Sequence, residues 1–352
     1  MPEVKPLAVI DGKNLSALDC EPPKFIISRI LPTGLSILSG SPKVGKSWLA
    51  LWLCQQVSRG EPVWAFDTLK CSVLYLALED TVDRLHFRLS HITEEGSADS
   101  YFATDAASIS GGLPVQLEKF MQDRADTGLI VIDTLQRIRG AAMENKSGYA
   151  FDYEDMNIVK AIADKLKIAV LLVHHTRKLP DSDPFNTVSG STGLTGSADT
   201  MFVLEKEKRA ENKAVLHITG RDVEDMQINL EFDREMKIWK FVSFASGGDN
   251  PAEKLIAAVA SFLSDGKSFN GTMSELLDAL TAIDSSIVLK PNTLSRSLKE
   301  YALTLEKRYK VKMDFTRTKD ARTISLSVGD DDGCFSDTPN DDDNDFIVTP
   351  YV

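Results

Sequence analysis

Between Leu35 and Val173 the chain alternates short apolar runs with longer stretches in which apolar residues recur at helical spacing. The runs "LSIL" (35–38), "SVLYLAL" (72–78), "GLIVID" (128–133) and "IAVLLVH" (168–174) are apolar almost throughout and rich in β-branched residues. Strands covered on both faces read this way. Helical patterns fill the intervals at 46–58, 81–91, 114–124 and 153–166. Such alternation predicts an α/β core, a mostly parallel twisted sheet with helices on its faces. After Asp199 the texture changes to "TMFVLEKEK", "AVLHITG", "INLEFD" and "KIWKFV", shorter runs separated by turn residues. These predict an antiparallel extension of the same sheet.

"SGGDNPAEK" (246–254) is a linker by composition. Three further helical patterns follow at 252–264, 274–282 and 293–308, then two strand-like runs around "TKDA". Helices closed by a hairpin predict a small winged helix-turn-helix domain. The expected organisation is an N-terminal extension (1–29), an α/β domain (30–245), a linker (246–251), the winged-helix domain (252–328) and an acidic tail (329–352). The aspartate runs of that tail predict disorder.

Composition narrows the class. A chain of 352 residues with 43% hydrophobic and 26% charged residues has the profile of a soluble globular protein with one large core and room for a second domain. The first residues lack a basic segment followed by an apolar one, so no secretory signal is expected. The runs "WLALWLC" and "IAVLLV" are too short to span a bilayer. Cys20, Cys54, Cys71 and Cys334 show no paired spacing. Reduced thiols in a cytoplasmic protein are expected, not a disulfide frame or a zinc site. The net charge of −12 argues against nucleic acid until its distribution is considered. Eight of those charges belong to aspartates after Gly329, whereas Lys290 to Arg322 holds ten Lys/Arg against four Asp/Glu. A basic patch is hidden in the sum.

The chemistry begins directly after "GLSIL". Gly40-Ser41-Pro42-Lys43-Val44-Gly45-Lys46-Ser47 fits G-x-x-x-x-G-K-[ST] between a strand and a helix. Glycines let backbone N–H groups wrap a phosphate, and the helix N-terminus adds a positive dipole end. Lys46 reaches the outer phosphates and the Ser47 hydroxyl binds Mg²⁺. A nucleoside triphosphate site is expected, with ATP and Mg²⁺ as its occupants. Asp133 ends a buried strand at the edge where ligands collect in open α/β sheets; it serves Mg²⁺ or caps the next helix. Glu79 and Asp80 end another strand: Glu79 activates the attacking water with Asp80 as a cap, or both simply cap. His174 and His175 end a third, where an imidazole contacts the γ-phosphate or is a satisfied core residue.

These residues resemble the RecA-like ATPases, particularly the hexameric replicative helicase group with the RepA-type plasmid helicases and the DnaB core. GSPKVGKS, "ALED", "LIVIDTL", "LVHH", "GSTGLTGSAD" and "ITGRD" run in that group's order across residues 30 to 245. The resemblance implies that Glu79 is the catalytic glutamate, His175 the γ-phosphate sensor, and Arg221 the arginine finger that completes a neighbouring subunit's site. It further implies a homo-oligomeric ring whose two loops, 136–151 and 176–197, grip single-stranded DNA through Arg137, Arg139, Lys146, Arg177 and Lys178. With no scaffold domain expected before residue 30, the chain resembles the compact RepA type.

In the C-terminal domain Arg296 and Lys299 lie on one side of a helix, and Arg317, Lys319 and Arg322 in the hairpin after it. The domain binds duplex DNA or docks a replication protein; the tail solubilises or docks a partner. The expectation is an ATP-dependent DNA helicase or translocase for replication of a plasmid, phage or mobile element. Its rivals are a KaiC-like regulatory or loader ATPase and a DNA-binding regulator.

Overall fold

A computed structural model of the chain describes residues 9–18, 23–139, 148–177, 181–206, 208, 211–245, 251–264, 268–317 and 322–329. A one-and-a-half-turn helix, α1 (Gly12–Ala17), is capped by the Asp11 carboxylate, which accepts from the Asn14 amide. A small antiparallel pair, β1 (Phe25–Ile27) and β2 (Leu31–Pro32), then leads into the core.

The core follows the predicted alternation. Strand β3 (Gly34–Gly40) is followed by α2 (Lys46–Arg59), β4 (Ser72–Ala77), α3 (Val82–Ile92), β5 (Ser100–Ala103), α4 (Leu113–Asp123) and β6 (Thr127–Asp133). Then come α5 (Leu135–Ile138), α6 (Gly148–Leu166), β7 (Ala169–Val173), a 3-10 turn at Pro184–Thr187, α7 (Thr192–Ser197) and β8 (Thr200–Glu205). Strands β9 (Lys213–Gly220), β10 (Met226–Phe232) and β11 (Trp239–Phe244) complete one nine-stranded sheet of order β11-β10-β9-β8-β3-β7-β6-β4-β5. Pairing is parallel from β8 across to β5, and antiparallel from β8 out to β11. Strand β8, expected as the first antiparallel strand, therefore belongs to both halves: it runs with β3 and against β9.

Period-two burial divides the core into two layers. In β6, Leu129 and Val131 pack on one face with Leu49, Cys54 and Val57 of α2, while Ile130 and Ile132 pack on the other with Met156, Val159 and Ile162 of α6. Because both faces are covered, the sequence shows continuous apolar runs instead of alternation. The short edge strand β5 was not expected: Tyr101 and Phe102 are half-buried, and its four residues carry too little pattern to be seen.

The C-terminal part contains α8 (Pro251–Phe262), β12 (Phe269–Thr272), α9 (Met273–Ile283), α10 (Pro291–Glu300), α11 (Ala302–Tyr309), β13 (Val311–Arg317) and β14 (Arg322–Val328). Two features differ from the sequence reading. The long pattern at 293–308 is two helices, broken at Tyr301. The hairpin is also joined by β12, giving an antiparallel sheet of order β12-β14-β13. Leu255, Val259, Leu276, Leu280, Leu294, Leu298, Ile324 and Leu326 form its separate core. Lys146, Lys178, Lys319 and the acidic tail beyond Gly329 lie outside the described residues.

The two parts are joined by more than a linker. Arg308 on α11 donates from Nε to Asp67 Oδ2 at 3.0 Å and from a terminal nitrogen to the Ala65 carbonyl at 2.5 Å. Lys307 Nζ donates to the carbonyls of Gly60 (2.9 Å) and Thr68 (2.6 Å). The buried Arg29 guanidinium sits 5.5 Å from the Phe66 ring centroid and 5.6 Å from that of Tyr301. Two cations of the basic patch are thus spent on holding the C-terminal part to the segment after α2. Arg308→Ala should destabilise the protein by about 1–2 kcal/mol, the scale of a charged hydrogen bond on a partly exposed group. Urea denaturation of variant and wild type measures it.

Candidate active site

Strands β3, β4, β6 and β7 run parallel and in register, with Leu38 opposite Val173, Val173 opposite Asp133 and Asp133 opposite Ala77. Their C-terminal ends therefore share one edge, and the segments leaving them meet there. The loop 40–47 fits its place through its glycines. A Cβ on Gly40 would lie 2.6 Å from the Leu204 carbonyl oxygen, so only glycine allows this approach to β8. Gly45 has φ of +109° and caps α2, with its Cα facing the buried Trp239 indole. The loop opens onto the N-terminus of a 14-residue helix, whose free N–H groups and dipole favour an anion.

Lys46 is 5% exposed and its Nζ donates to the carbonyls of Gly40 (2.7 Å) and Ser41 (3.0 Å). His175 Nδ1 stands 3.4 Å from the same nitrogen. Burial lowers the Lys46 ammonium to about 8, against the opposing pull of Asp133 and Glu79. The same burial, helped by Lys46, lowers His175. Asp133 is buried; Tyr75 donates to its Oδ2 at 2.8 Å and the Ser47 hydroxyl bonds to it as well. Burial nevertheless raises the Asp133 carboxyl. A buried carboxylate bonded to a hydroxyl at a phosphate loop fits a divalent cation that takes its other ligands from phosphate and water. No cluster of three or more His, Cys, Asp or Glu side chains competes for a metal among the described residues. Glu79 Oε1 accepts from Thr134 Oγ1 at 3.1 Å, which places its carboxylate beside Asp133.

The neighbouring carboxylate behaves otherwise than expected. The cap of α3 is Thr81, whose hydroxyl accepts from the Arg84 amide, while Asp80 forms ion pairs with Arg88 and, at 3.6 Å, with Arg84. His174 points away from the phosphate edge. Its Nε2 donates to the Ser189 carbonyl at 2.9 Å, and burial lowers it to about 4.

The expected finger lies elsewhere. Arg221 follows β9 and its amide donates to the Asp199 carbonyl at 2.8 Å, beside the first residues of β3. The loop 40–47 leaves the last residue of that strand, so roughly 20 Å of extended chain separates them. Arg221 cannot serve the nucleotide site of its own chain.

The two expected DNA loops are partly folded. Arg137 is exposed at the end of α5. Arg139 instead pairs with Asp152 (2.6 Å) and Asp155 (3.7 Å) on α6, with a side chain only 14% exposed. Two flanking carboxylates hold the guanidinium, so a phosphate would compete with them for it. Asp152 also accepts from the Ser191 amide at 2.8 Å, so the first loop is stapled to the second through α6. Arg177 pairs with Asp181 at 3.4 Å, and the second loop contains the 3-10 turn and α7. Asp152 went unnoticed in the sequence, since a single aspartate carries no motif, and Asp199 was read only as the last residue of "GSTGLTGSAD".

The sequence signature of the AAA domain matches residues 2–181, just over half of the chain. The chain belongs to the AAA domain family. The RecA-like P-loop reading drawn from the motifs is borne out by this match together with the parallel core. The DNA repair protein RadA of Streptococcus pneumoniae (strain ATCC BAA-255 / R6) is 23% identical over 206 residues, covering 57% of this chain and 43% of that protein. The chain thus spans less than half the length of that relative. Among solved structures, the ATPase domain of G40P superposes with a TM-score of 0.49 at 14% identity, over 66% of this chain and 95% of that one. A DnaB-like replicative helicase, from a structure describing its interactions with primase, gives 0.49 and 14% over 66% and 65%. No helix among the described residues is long and apolar enough to cross a membrane.

Two titrations of the AAA domain have readable consequences. Triphosphate binding needs Lys46 charged, and a free amine with its pKa lowered to about 8 loses its proton as pH rises. Nucleotide affinity should fall about tenfold from pH 7 to pH 9. Titration with a fluorescent ATP analogue measures this. His174 works in the opposite sense: lowered from 6.5 to about 4, it is neutral when folded and takes a proton on unfolding. Its stabilising contribution is complete above pH 6.5 and is lost as pH falls towards 4. Between pH 7.5 and pH 5 the wild type should lose about 2 kcal/mol more than His174→Gln, read by urea denaturation at each pH.

Proposed function

We propose that the chain is a Mg²⁺-dependent ATP hydrolase of the RecA-like helicase group that forms a hexameric ring and moves on single-stranded DNA during replication of a plasmid, phage or mobile element. The observation that carries this reading is the meeting of Lys46, Ser47, Asp133, Glu79 and His175 at one sheet edge. Lys46 and the amides of residues 40–47 bind and orient the phosphates. Mg²⁺ held by Ser47 and Asp133 would offset charge on the transferred phosphoryl group. Glu79, fixed by Thr134, accepts the proton of the attacking water. His175, beside the Lys46 ammonium, registers loss of the γ-phosphate. Arg221 stabilises the transition state of a neighbouring copy. The similarity to a DNA repair protein supports an action on DNA.

For the C-terminal part, the element order α8-β12-α9-α10-α11-β13-β14 and sheet order β12-β14-β13 support a winged-helix module that contacts duplex DNA or a replication protein. A second reading, a RecA-fold switch or loader without translocation, is favoured by the pairing of Arg139 and Arg177 with carboxylates.

Steady-state ATP hydrolysis with and without single-stranded DNA, with Lys46→Ala as the blank, separates the readings. A several-fold stimulation absent from the blank is expected. Hydrolysis that DNA leaves unchanged would remove the motor and leave the switch.

A further inference from the structure

Asp199 lies between α7 and β8, at the opposite end of the sheet from the phosphate loop. Its backbone is locked to β3, with the amide donating to the Leu35 carbonyl at 2.7 Å. Its Oδ2 accepts from the Leu35 amide at 3.0 Å and pairs with Lys160 of α6. Gly34 permits this contact: a Cβ there would lie 2.7 Å from Oδ2, and the residue has φ of +115°. With Oδ2 taken, Oδ1 is turned towards Arg221, whose guanidinium stands 3.4 Å away. The carboxylate is 13% exposed in its side chain, while the arginine it holds is 59% exposed. A second nitrogen of the guanidinium donates to the Gly196 carbonyl of α7 at 3.2 Å. A mostly buried carboxylate and the exposed Gly196 carbonyl thus hold the two terminal nitrogens of a side chain that is otherwise exposed.

We propose that Asp199, together with the Gly196 carbonyl, is the positioning residue that aims Arg221 at the nucleotide site of a second copy of this chain. The proposal rests on the trans role of Arg221. An arginine side chain has four rotatable bonds and loses rotamer freedom when ordered. Two acceptors fixed by β3 and α7 supply that order before the second copy arrives, so docking does not have to. The carboxylate touches no substrate; it acts only through Arg221.

Mixed assemblies test this. Lys46→Ala cannot hydrolyse ATP yet offers an intact Arg221, and Arg221→Ala has an intact phosphate loop without the arginine. Mixing the two purified chains should restore hydrolysis that neither shows alone. The Lys46→Ala donor is then replaced by one that also carries Asp199→Asn. That donor should restore about tenfold less, the scale expected when a catalytic group is misplaced by a fraction of an ångström. In the Asp199→Asn single variant, kcat should fall with KM and fluorescent-ADP affinity unchanged, a split that a merely structural lesion does not produce.

Equal restoration by both donors overturns the proposal. Failure of the plain Lys46→Ala donor overturns the trans role of Arg221 and the proposal with it, a distinguishable result. Should the doubly substituted donor fail to fold, Lys160→Gln replaces Asp199→Asn. It leaves the Leu35 contact in place but frees the carboxylate to turn, and the same kind of deficit is expected. Full restoration by that donor also overturns the proposal.

Discussion

Strand β3 is hydrogen-bonded along both edges, to β7 and to β8, and it cannot shift without breaking two ladders. Its two ends place the phosphate loop and the Asp199 anchor, and the strands beside it bring Asp133, Glu79 and His175 to the first of them. The phosphate loop leaves one end at Gly40; the Asp199 anchor binds the other at Gly34 and Leu35. A slip of one residue would exchange the two core faces and also move the loop away from Asp133 and His175. The energetic weight of the apolar sheet and the geometry of the polar edge are therefore one constraint, not two.

How legible this was depended on the length and type of each signal. The four buried strands and their helices could be read because parallel strands covered on both faces produce long apolar runs. The phosphate loop, Asp133, Glu79 and His175 could be read because parallel strands deliver their ends to the same edge, so position along the sequence is nearly position in space. Asp80 was misread because Thr81, one residue on, competes for the cap and two arginines on α3 compete for the carboxylate. The pairing of Arg139 could not be read because its partners Asp152 and Asp155 follow in α6, where only the fold brings them back. The break at Tyr301 left no mark, since apolar spacing continues through it and neither proline nor glycine stands there.

The attachment of the C-terminal part changes how its charge should be understood. Lys307 and Arg308 face the carbonyl-rich segment between α2 and β4, and Arg296 and Glu300 of α10 line a cavity of about 250 Å³ with Arg221, Val223 and Glu224. Burial raises the Glu300 carboxyl there, with Glu224 adding to the effect against Arg29 and Arg296. The basic patch read from the sequence is therefore divided: part of it binds the core, and part borders the turn that carries the outward arginine.

The segment from His175 to Asp199 is tied at both ends. Ser189 donates to the His175 carbonyl at 3.0 Å and accepts from His174, while Gly196 and Asp199 hold Arg221. One end touches the chain's own lysine; the other carries the group directed away from it. Copies arranged head to tail would therefore pass information in one rotational sense only, from each occupied pocket to the next copy along. The asymmetry would belong to the covalent order of the polypeptide, and a closed circle of identical parts would inherit a direction that none of its interfaces has to choose.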